Sequence, residues 1–445
     1  GDQKLRLMAF GSMDKVILLF DRPASDPAIR GEINARIMFH NLQASYSSRI
    51  VPRLSQETSL VVGLQQFKTQ IGPDFFFNLD TRRLAFRTSW TYEAGEWISA
   101  RAGMDIRLDN VKLSAVSPLR PIEGEDLPPT STQNRYNVQT SATLYEPAVF
   151  AELEMRPLED LIVLPGVRVD YYRDNRRWTV DPRLTARYRL AEGTVLKGGV
   201  GYFQQPPTPD QTNSDLGNPN LLALRSSHST LGVEQVITEG IDIQLAGFYK
   251  WLDRLVIRNP AFFSDPTATP YLSGGTGRIL GLELLVRVRL DDWFFGWLAY
   301  TFQRSYRKDG PGEDERLFDF DQPHILTALG TFELGSGWSA GFRFRLVSGN
   351  PVTPVIGSVY DAVSDTWVPV YGANNSARLG AFHQLDLRVD KEWVFERWRL
   401  SLYLDVQNVY LRENPEGYSY SFDYSQKQPI SGIPILPILG VKGEW

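Results

Sequence analysis

The sequence predicts an all-β fold: a transmembrane antiparallel β-barrel of about 19 strands that takes in the whole chain, residues 1–445. Three observations carry that prediction. Apolar and polar residues alternate strictly over segment after segment, which gives strands one greasy and one wet face. Short turns alternate with long polar connections, as where strands cross a bilayer between a plain rim and an elaborated one. Tryptophans gather at strand ends (Trp293, Trp338, Trp393, Trp398), where an interfacial girdle needs them.

The strands can be followed in order. "KLRLMAFGS" opens the chain, with a first short turn expected near Met13, so that this strand descends toward the short-turn side. "DPRLTARYRL" sets Leu184, Ala186, Tyr188 and Leu190 against Arg183, Thr185, Arg187 and Arg189. "GLELLVRVRL" sets Leu282, Leu284, Val286, Val288 and Leu290 against Glu283, Arg287 and Arg289. "GWSAGFRFRLVSG" sets Trp338, Ala340, Phe342, Phe344 and Leu346 against Ser339, Gly341, Arg343 and Arg345. In "LDLRVDKEWVFERWRLSLYLDVQ" Leu385, Leu387 and Val389 oppose Asp386, Arg388 and Asp390; the chain turns at Phe395-Glu396-Arg397 and returns with Leu400, Leu402, Leu404 and Val406 on one face. The last strand, "ILPILGVKGEW", puts Pro437, Leu439, Val441 and Trp445 on one edge. Other short turns are expected near Leu54, Ala94, Pro157, Glu192, Glu239, Asp291 and Gly335, on the periplasmic side. Longer, extracellular connections are expected at 114–142, 205–226, 259–277, 308–321, 350–379 and 412–434.

Composition narrows the reading. Hydrophobic residues make up 42% and aromatic residues 12%, yet no apolar stretch is long enough for a membrane-spanning helix. Mean hydropathy is −0.26, because alternation averages a lipid face with a wet one. A soluble β-sandwich also alternates, but it seldom lines the inner side of many strands with arginines. A net charge of −5 gives no reason to expect nucleic acid as a partner, and the absence of cysteine excludes thiol chemistry and disulfides.

Candidate functional residues follow from the alternation. Arg183, Arg187, Glu283, Arg287, Arg289, Arg343, Arg345, Asp386, Arg388 and Asp390 are expected to line the lumen, as cross-strand ion pairs that stiffen the wall and hold whatever fills it, or as substrate contacts. Tyr418, Tyr420, Phe422 and Tyr424, with Trp367 and Tyr371, fall in the two longest late connections and are candidate ligand contacts. The acidic run Glu313, Asp314, Glu315, Asp319 and Asp321 is read as a solvated loop, with calcium binding as the alternative. His40, His228, His324 and His383 are not paired at metal spacing, so neither a metal site nor a catalytic set is expected. Trp445 is expected to anchor the final strand at the periplasmic interface.

Several stretches then resemble TonB-dependent receptors. "GNPNLLALRSSHSTLGVEQ", Gly217 to Gln235, resembles their loop-to-strand segment; "GRILGLELLVRVRL" their Gly-x-Glu strand; "VSGNPVTPV" a loop entrance. The hairpin ending in the Asp405–Asn408 segment resembles their penultimate one. The resemblance is strongest from about Val167 to Trp445. It implies a 22-stranded barrel of the plugged-transporter type. About three strands, the plug domain and a TonB box would then precede Gly1. It also implies import of a siderophore-, cobalamin-, glycan- or peptide-like ligand across the bacterial outer membrane, with no cofactor and no enzymatic step. The partners implied are outer-membrane lipid and lipopolysaccharide, the plug, the periplasmic TonB complex and the barrel assembly machinery, for which Trp445 is a terminal signal. A passive pore and a structural barrel that holds a partner protein are the alternatives.

Overall fold

The computed structural model describes residues 3–20, 31–72, 75–117, 136–173, 176–212, 217–265, 267–362, 365–432 and 434–445. Alternation produces a single antiparallel sheet. In chain order its strands are β1 (Gln3–Phe20), β2 (Gly31–Val51), β3 (Leu54–Ile71), β4 (Phe75–Glu93), β5 (Ile98–Ser117), β6 (Tyr136–Leu158), β7 (Leu161–Tyr172), β8 (Arg177–Ala191), β9 (Thr194–Gln205), β10 (Leu224–Thr238), β11 (Ile241–Arg258), β12 (Tyr271–Leu290), β13 (Phe294–Lys308), β14 (Arg316–Leu317), β15 (His324–Gly335) and β16 (Trp338–Val347). The late connections hold β17 (Pro351–Val352), β18 (Val355–Asp361), β19 (Thr366–Tyr371) and β20 (Ala377–Arg378). The sheet resumes with β21 (Phe382–Val394) and β22 (Arg399–Gln407); β23 (Pro415–Tyr420) and β24 (Lys427–Ser431) form a further loop hairpin, and β25 (Leu436–Glu444) ends the wall.

The main sheet has 19 strands, of which β14 is a two-residue addition to β13. The other eighteen each pair with their neighbours in the wall, and the order skips only the loop strands: β13–β15, β16–β21 and β22–β25. Among the described residues β1 pairs only with β2 and β25 only with β22.

Eight of the nine expected short turns are present, between β2 and β3, β4 and β5, β6 and β7, β8 and β9, β10 and β11, β12 and β13, β15 and β16, and β21 and β22. The turn expected near Met13 is not. Met13 lies within β1, opposite Met38. Gly11, Ser12 and Asp14 are turn-like residues, but each is held in the ladder, opposite His40, Phe39 and Ile37, with Ser12 and Asp14 on the inward face. With one strand in place of two, β1 ascends toward the long-connection rim, the reverse of the direction expected. Of the long connection expected at 114–142, residues 114–117 and 136–142 are strand, because β5 runs to Ser117 and β6 begins at Tyr136; residues 118–135 lie outside the described residues.

Register explains the two faces. Leu7, Ala44, Leu60, Phe86 and Ile106 form one cross-strand row on β1–β5, and Arg83, Arg87, Asp105 and Asp109 lie on the opposite face. A bilayer crossing takes about 9–11 residues, whereas β2 has 21 and β6 has 23. The first strands therefore rise beyond the apolar band, and there the polarity inverts. Ile37, Phe67, Leu79 and Leu113 occupy a row on the face that was polar below. Lys15, Arg36 and Lys68 occupy a row on the face that was apolar.

Candidate functional site

The polar face of the wall carries its charges in pairs. Arg183 lies 3.0 Å from Glu152, Arg187 2.5 Å from Glu234, Arg287 2.7 Å from Asp242, and Arg343 2.6 Å from Asp386. Arg388 meets Asp390 at 2.6 Å two residues along the same strand, and its guanidinium lies 4.0 Å from the ring centre of Tyr403. Arg289 lies over Phe295 and Arg345 over Phe382. Glu283 stands opposite Ala246 and Thr301, away from the arginine partners expected of it. A second network, of which the sequence reading offered only Asp170 as a lumen carboxylate, joins β4–β7: Arg83 meets Asp109 at 2.8 Å, Arg168 meets Asp170 at 2.9 Å and also reaches Asp105, and Arg107 pairs with Glu146. It borders a cavity of about 620 Å³ whose lining includes Tyr172, Asp181 and Gln204. The alternation "RRLAFR" (Arg82–Arg87) was its signal in the sequence.

Two loop hairpins hold the candidate aromatic contacts. In β18–β19, Tyr360 and Trp367 are paired in register, with ring centres 5.5 Å apart, and Tyr371 is opposite Val355. The Tyr360 hydroxyl donates to Asp365 at 2.6 Å, and that bond raises the phenol's pKa above its ordinary value. In β23–β24, the Lys427 ammonium lies 3.6 Å from the Tyr418 ring centre, and Tyr420 and Tyr424 are 5.7 Å apart. Phe422, at the tip, is 72% exposed. The Ser421 and Ser425 hydroxyls and the Ser425 N–H donate to Asp423, lowering its pKa to about 2. A hydrogen bond joins the hairpins: Ser358 Oγ donates to the Asp423 carbonyl at 2.6 Å. Both hairpins thus present aromatics on neighbouring, linked supports.

The acidic run is largely taken up by arginines: Glu315 by Arg278 at 2.7 Å, Asp319 by Arg316 at 3.4 Å and Asp321 by Arg378 at 2.7 Å. Asp321 is fully buried and also accepts from the Ser305 N–H at 2.7 Å, so it ties the 309–323 connection to the 348–381 one. Among the described residues no cluster of three or more His, Cys, Asp or Glu side chains could hold a metal. His324 bonds the Tyr300 hydroxyl at 2.8 Å and His383 the Tyr410 hydroxyl at 2.9 Å. Trp445 follows the end of β25 and is wholly exposed.

An antiparallel wall with apolar rows on one face, ion pairs on the other and one elaborated rim defines a transmembrane β-barrel. The sequence matches the family "TonB dependent receptor-like, beta-barrel" over residues 30–409, and the chain belongs to that family, whose members are barrels of the bacterial outer membrane. No curated protein matches it. Among solved structures it is similar to the ferric-catecholate import receptor Fiu of E. coli K12, with TM-score 0.65, 13% identity, and coverage of 92% of this chain and 64% of that one. It is similar to P. aeruginosa FpvA in complex with a pyoverdine and iron, with TM-score 0.71, 13% identity, and coverage of 99% and 62%. It is similar to the copper transporter OprC, with TM-score 0.63, 14% identity, and coverage of 92% and 66%. The chain thus spans less than two thirds of the length of Fiu and FpvA, and at these identities the likeness is one of fold.

Proposed function

We propose that this chain is the barrel wall of a TonB-dependent outer-membrane receptor that imports a specific ligand. The long connections face the cell exterior and the C-terminus the periplasm. The observation that carries the reading is the division of labour between wall and rim. Most of the candidate lumen arginines are neutralised by carboxylates on the wall itself, so the wall is a poor binder of a free anion. Aromatics stand instead on the rim, on β18–β19 and β23–β24, with Tyr360 and Phe422 exposed and the others half-buried. Trp367, Tyr371, Tyr418, Tyr420, Phe422 and Tyr424 would contact the ligand there by stacking and apolar burial. Iron, copper and pyoverdine complexes are what the similar structures handle, which favours a metal chelate over a glycan. The wall pairs would hold a plug, and the periplasmic TonB complex would remodel it. No bond of the ligand is made or broken.

The test is uptake of a ferric catecholate and of a ferric hydroxamate by cells that depend on this protein. Uptake of one of them should require TonB and fall when Trp367 and Phe422 are both replaced by Ser, with surface abundance unchanged. Steady ion conductance by the whole protein in a planar bilayer, without TonB-dependent uptake, would establish the passive pore instead.

A further inference from the structure

Lys427 takes a ring for its partner where carboxylates are at hand. It stands opposite Tyr420 in the register of β23–β24 and reaches diagonally across the hairpin, so that its ammonium lies 3.6 Å from the Tyr418 ring centre. The same connection holds Glu413 and Glu416, both exposed, and Asp423, which Ser421 and Ser425 keep in its own turn. Among the described residues Lys427 forms no ion pair with any of them. The face of an aromatic ring carries negative potential, and a cation gains from it even at an exposed site. Tyr418 is thus already a cation site, filled by the protein's own side chain.

The surroundings have the matching sign. Segments 348–381 and 408–435, which carry both hairpins, hold five carboxylates against three cations, Arg378, Arg412 and Lys427. Arg378 is taken by the buried Asp321 and Lys427 lies on its ring, which leaves Arg412 to face an incoming group. The adjoining 309–323 connection adds Glu313 and Asp314, both exposed. More ring faces stand close by. The ring centre of Tyr424 is 5.7 Å from that of Tyr420, and Tyr360 and Trp367 belong to the hairpin that Ser358 ties to this one. A rim of net negative charge with several ring faces attracts a cation and repels a polyanion. Metal chelates differ on this point. Three catecholates leave ferric iron in a complex of high negative charge. Three hydroxamates cancel the charge of the metal, and a pendent ammonium then makes the complex positive.

We propose that this rim selects a positively charged ligand, a metal chelate with a pendent ammonium, and that Lys427 is a tethered stand-in for that ammonium. Lys427 fills the Tyr418 site in the free protein and yields it to the ligand. It is exposed, so on displacement it returns to water. The ligand's ammonium wins the exchange because the rest of the chelate settles on the neighbouring rings at the same time. The inference rests on the reading of the hairpins as the docking site of the ligand.

The experiment titrates the whole protein in nonionic detergent with three probes: a linear ferric tris-hydroxamate that ends in a primary ammonium, its N-acetyl derivative, and a ferric tris-catecholate. The first two differ only in the charged end, so their ratio on one protein sample is independent of any folding defect. The ammonium form should bind about tenfold tighter than the acetylated form, and added salt should shrink that ratio. Tyr418→Leu should bring the ratio close to unity; an unchanged ratio would overturn Tyr418 as the cation site. Lys427→Gln should tighten the ammonium form about threefold and leave the acetylated form where it was. Weaker binding of the ammonium form to Lys427→Gln would overturn the stand-in role and make Lys427 a direct contact for an anionic group. Equal binding of the two hydroxamates, or tightest binding of the catecholate, would overturn the charge selection and leave the receptor reading intact. Failure of all three probes to bind would overturn the metal-chelate reading, and this inference with it.

Discussion

Asn408 offers the sharpest test of how the wall holds its rim. It follows β22 with φ +54°, is 1% exposed, and starts the connection that carries Tyr418, Tyr420, Phe422 and Tyr424. Its Nδ2 donates to the carbonyls of Arg412 at 2.9 Å and Pro434 at 3.2 Å, and its Oδ1 accepts from the Arg412 N–H at 3.0 Å. Its own N–H donates to Asp386 at 2.9 Å. Asn408→Ala removes all three side-chain bonds, at about 1 kcal/mol each. It also puts a Cβ-bearing residue without a local hydrogen bond into the left-handed region, for about 1 kcal/mol more. The expected loss is therefore about 4 kcal/mol. Asn408→Gly loses the same bonds without the strain, so it should recover about 1 kcal/mol of that. The assay is an equilibrium urea titration of the whole protein folding into lipid vesicles, read by tryptophan fluorescence. Losses below about 1 kcal/mol for both variants would refute the hydrogen-bond argument. An Ala variant as stable as the Gly variant would refute the strain argument.

Four further outcomes are expected. Leu284, opposite Leu245 and Tyr300 on the apolar face, should not tolerate arginine: Leu284→Arg should cost about 2–4 kcal/mol in the same titration if it lies at mid-bilayer. Arg287→Leu, on the other face, frees the half-buried Asp242 from an exposed partner and should cost about 1 kcal/mol or less, so equal losses would sink the assignment of faces. A cysteine at Ala373 should react with an impermeant thiol reagent on intact cells and one at Glu396 should not; the reverse pattern would invert the topology. Asp423 has a folded pKa of about 2, below its ordinary 3.8, so its turn gains stability above the ordinary value and loses it as pH falls toward 2. Amide exchange at Ser425 should thus be protected at pH 5 and not at pH 2, and protection that ignores pH would show that the carboxylate does not hold the turn. Trp445→Ser should lower the amount of barrel in the outer membrane while ligand binding per surface molecule stays normal; normal abundance with lost binding would contradict an assembly role.

The wall was legible in the sequence because period-two alternation and turn chemistry are local, and the turns at Glu192, Asp291 and Gly335 needed no long-range information. The failure at Met13 came from turn-like residues standing inside one long strand. Ser12 and Asp14 stand on the inward face of β1, opposite Phe39 and Ile37, and with Gly11 just before them they look like a turn although the ladder runs on through them. The individual arginine pairs were legible as a class but not as partners, since register decides whether Arg343 meets Asp386 or its neighbour. The buried Asp321 was missed for a different reason: its partner Arg378 lies in another connection, and only the folded rim brings the two together. The hairpins β18–β19 and β23–β24 were seen as aromatic loops, but the bond from Ser358 to Asp423 spans a sequence separation that no pattern encodes.

The points at which the chain leaves and rejoins the wall have a consequence of their own. Val347 and Phe382 are register partners, as are Gln407 and Leu436. Each long excursion therefore departs and returns at adjacent sites, and replacing its contents disturbs the sheet's hydrogen bonding only at the entry, where the N–H groups of Ser348, Asn408 and Val409 donate to His324, Asp386 and Leu385. At the opposite rim, a two-residue turn cannot accept a single insertion without a slip that swaps the faces of the strand after it. Heritable change is thereby channelled to one end of the molecule. The segments 348–381 and 408–435 behave as exchangeable cassettes, so a descendant could acquire a new ligand by substituting one of them whole, with every membrane-embedded residue retained.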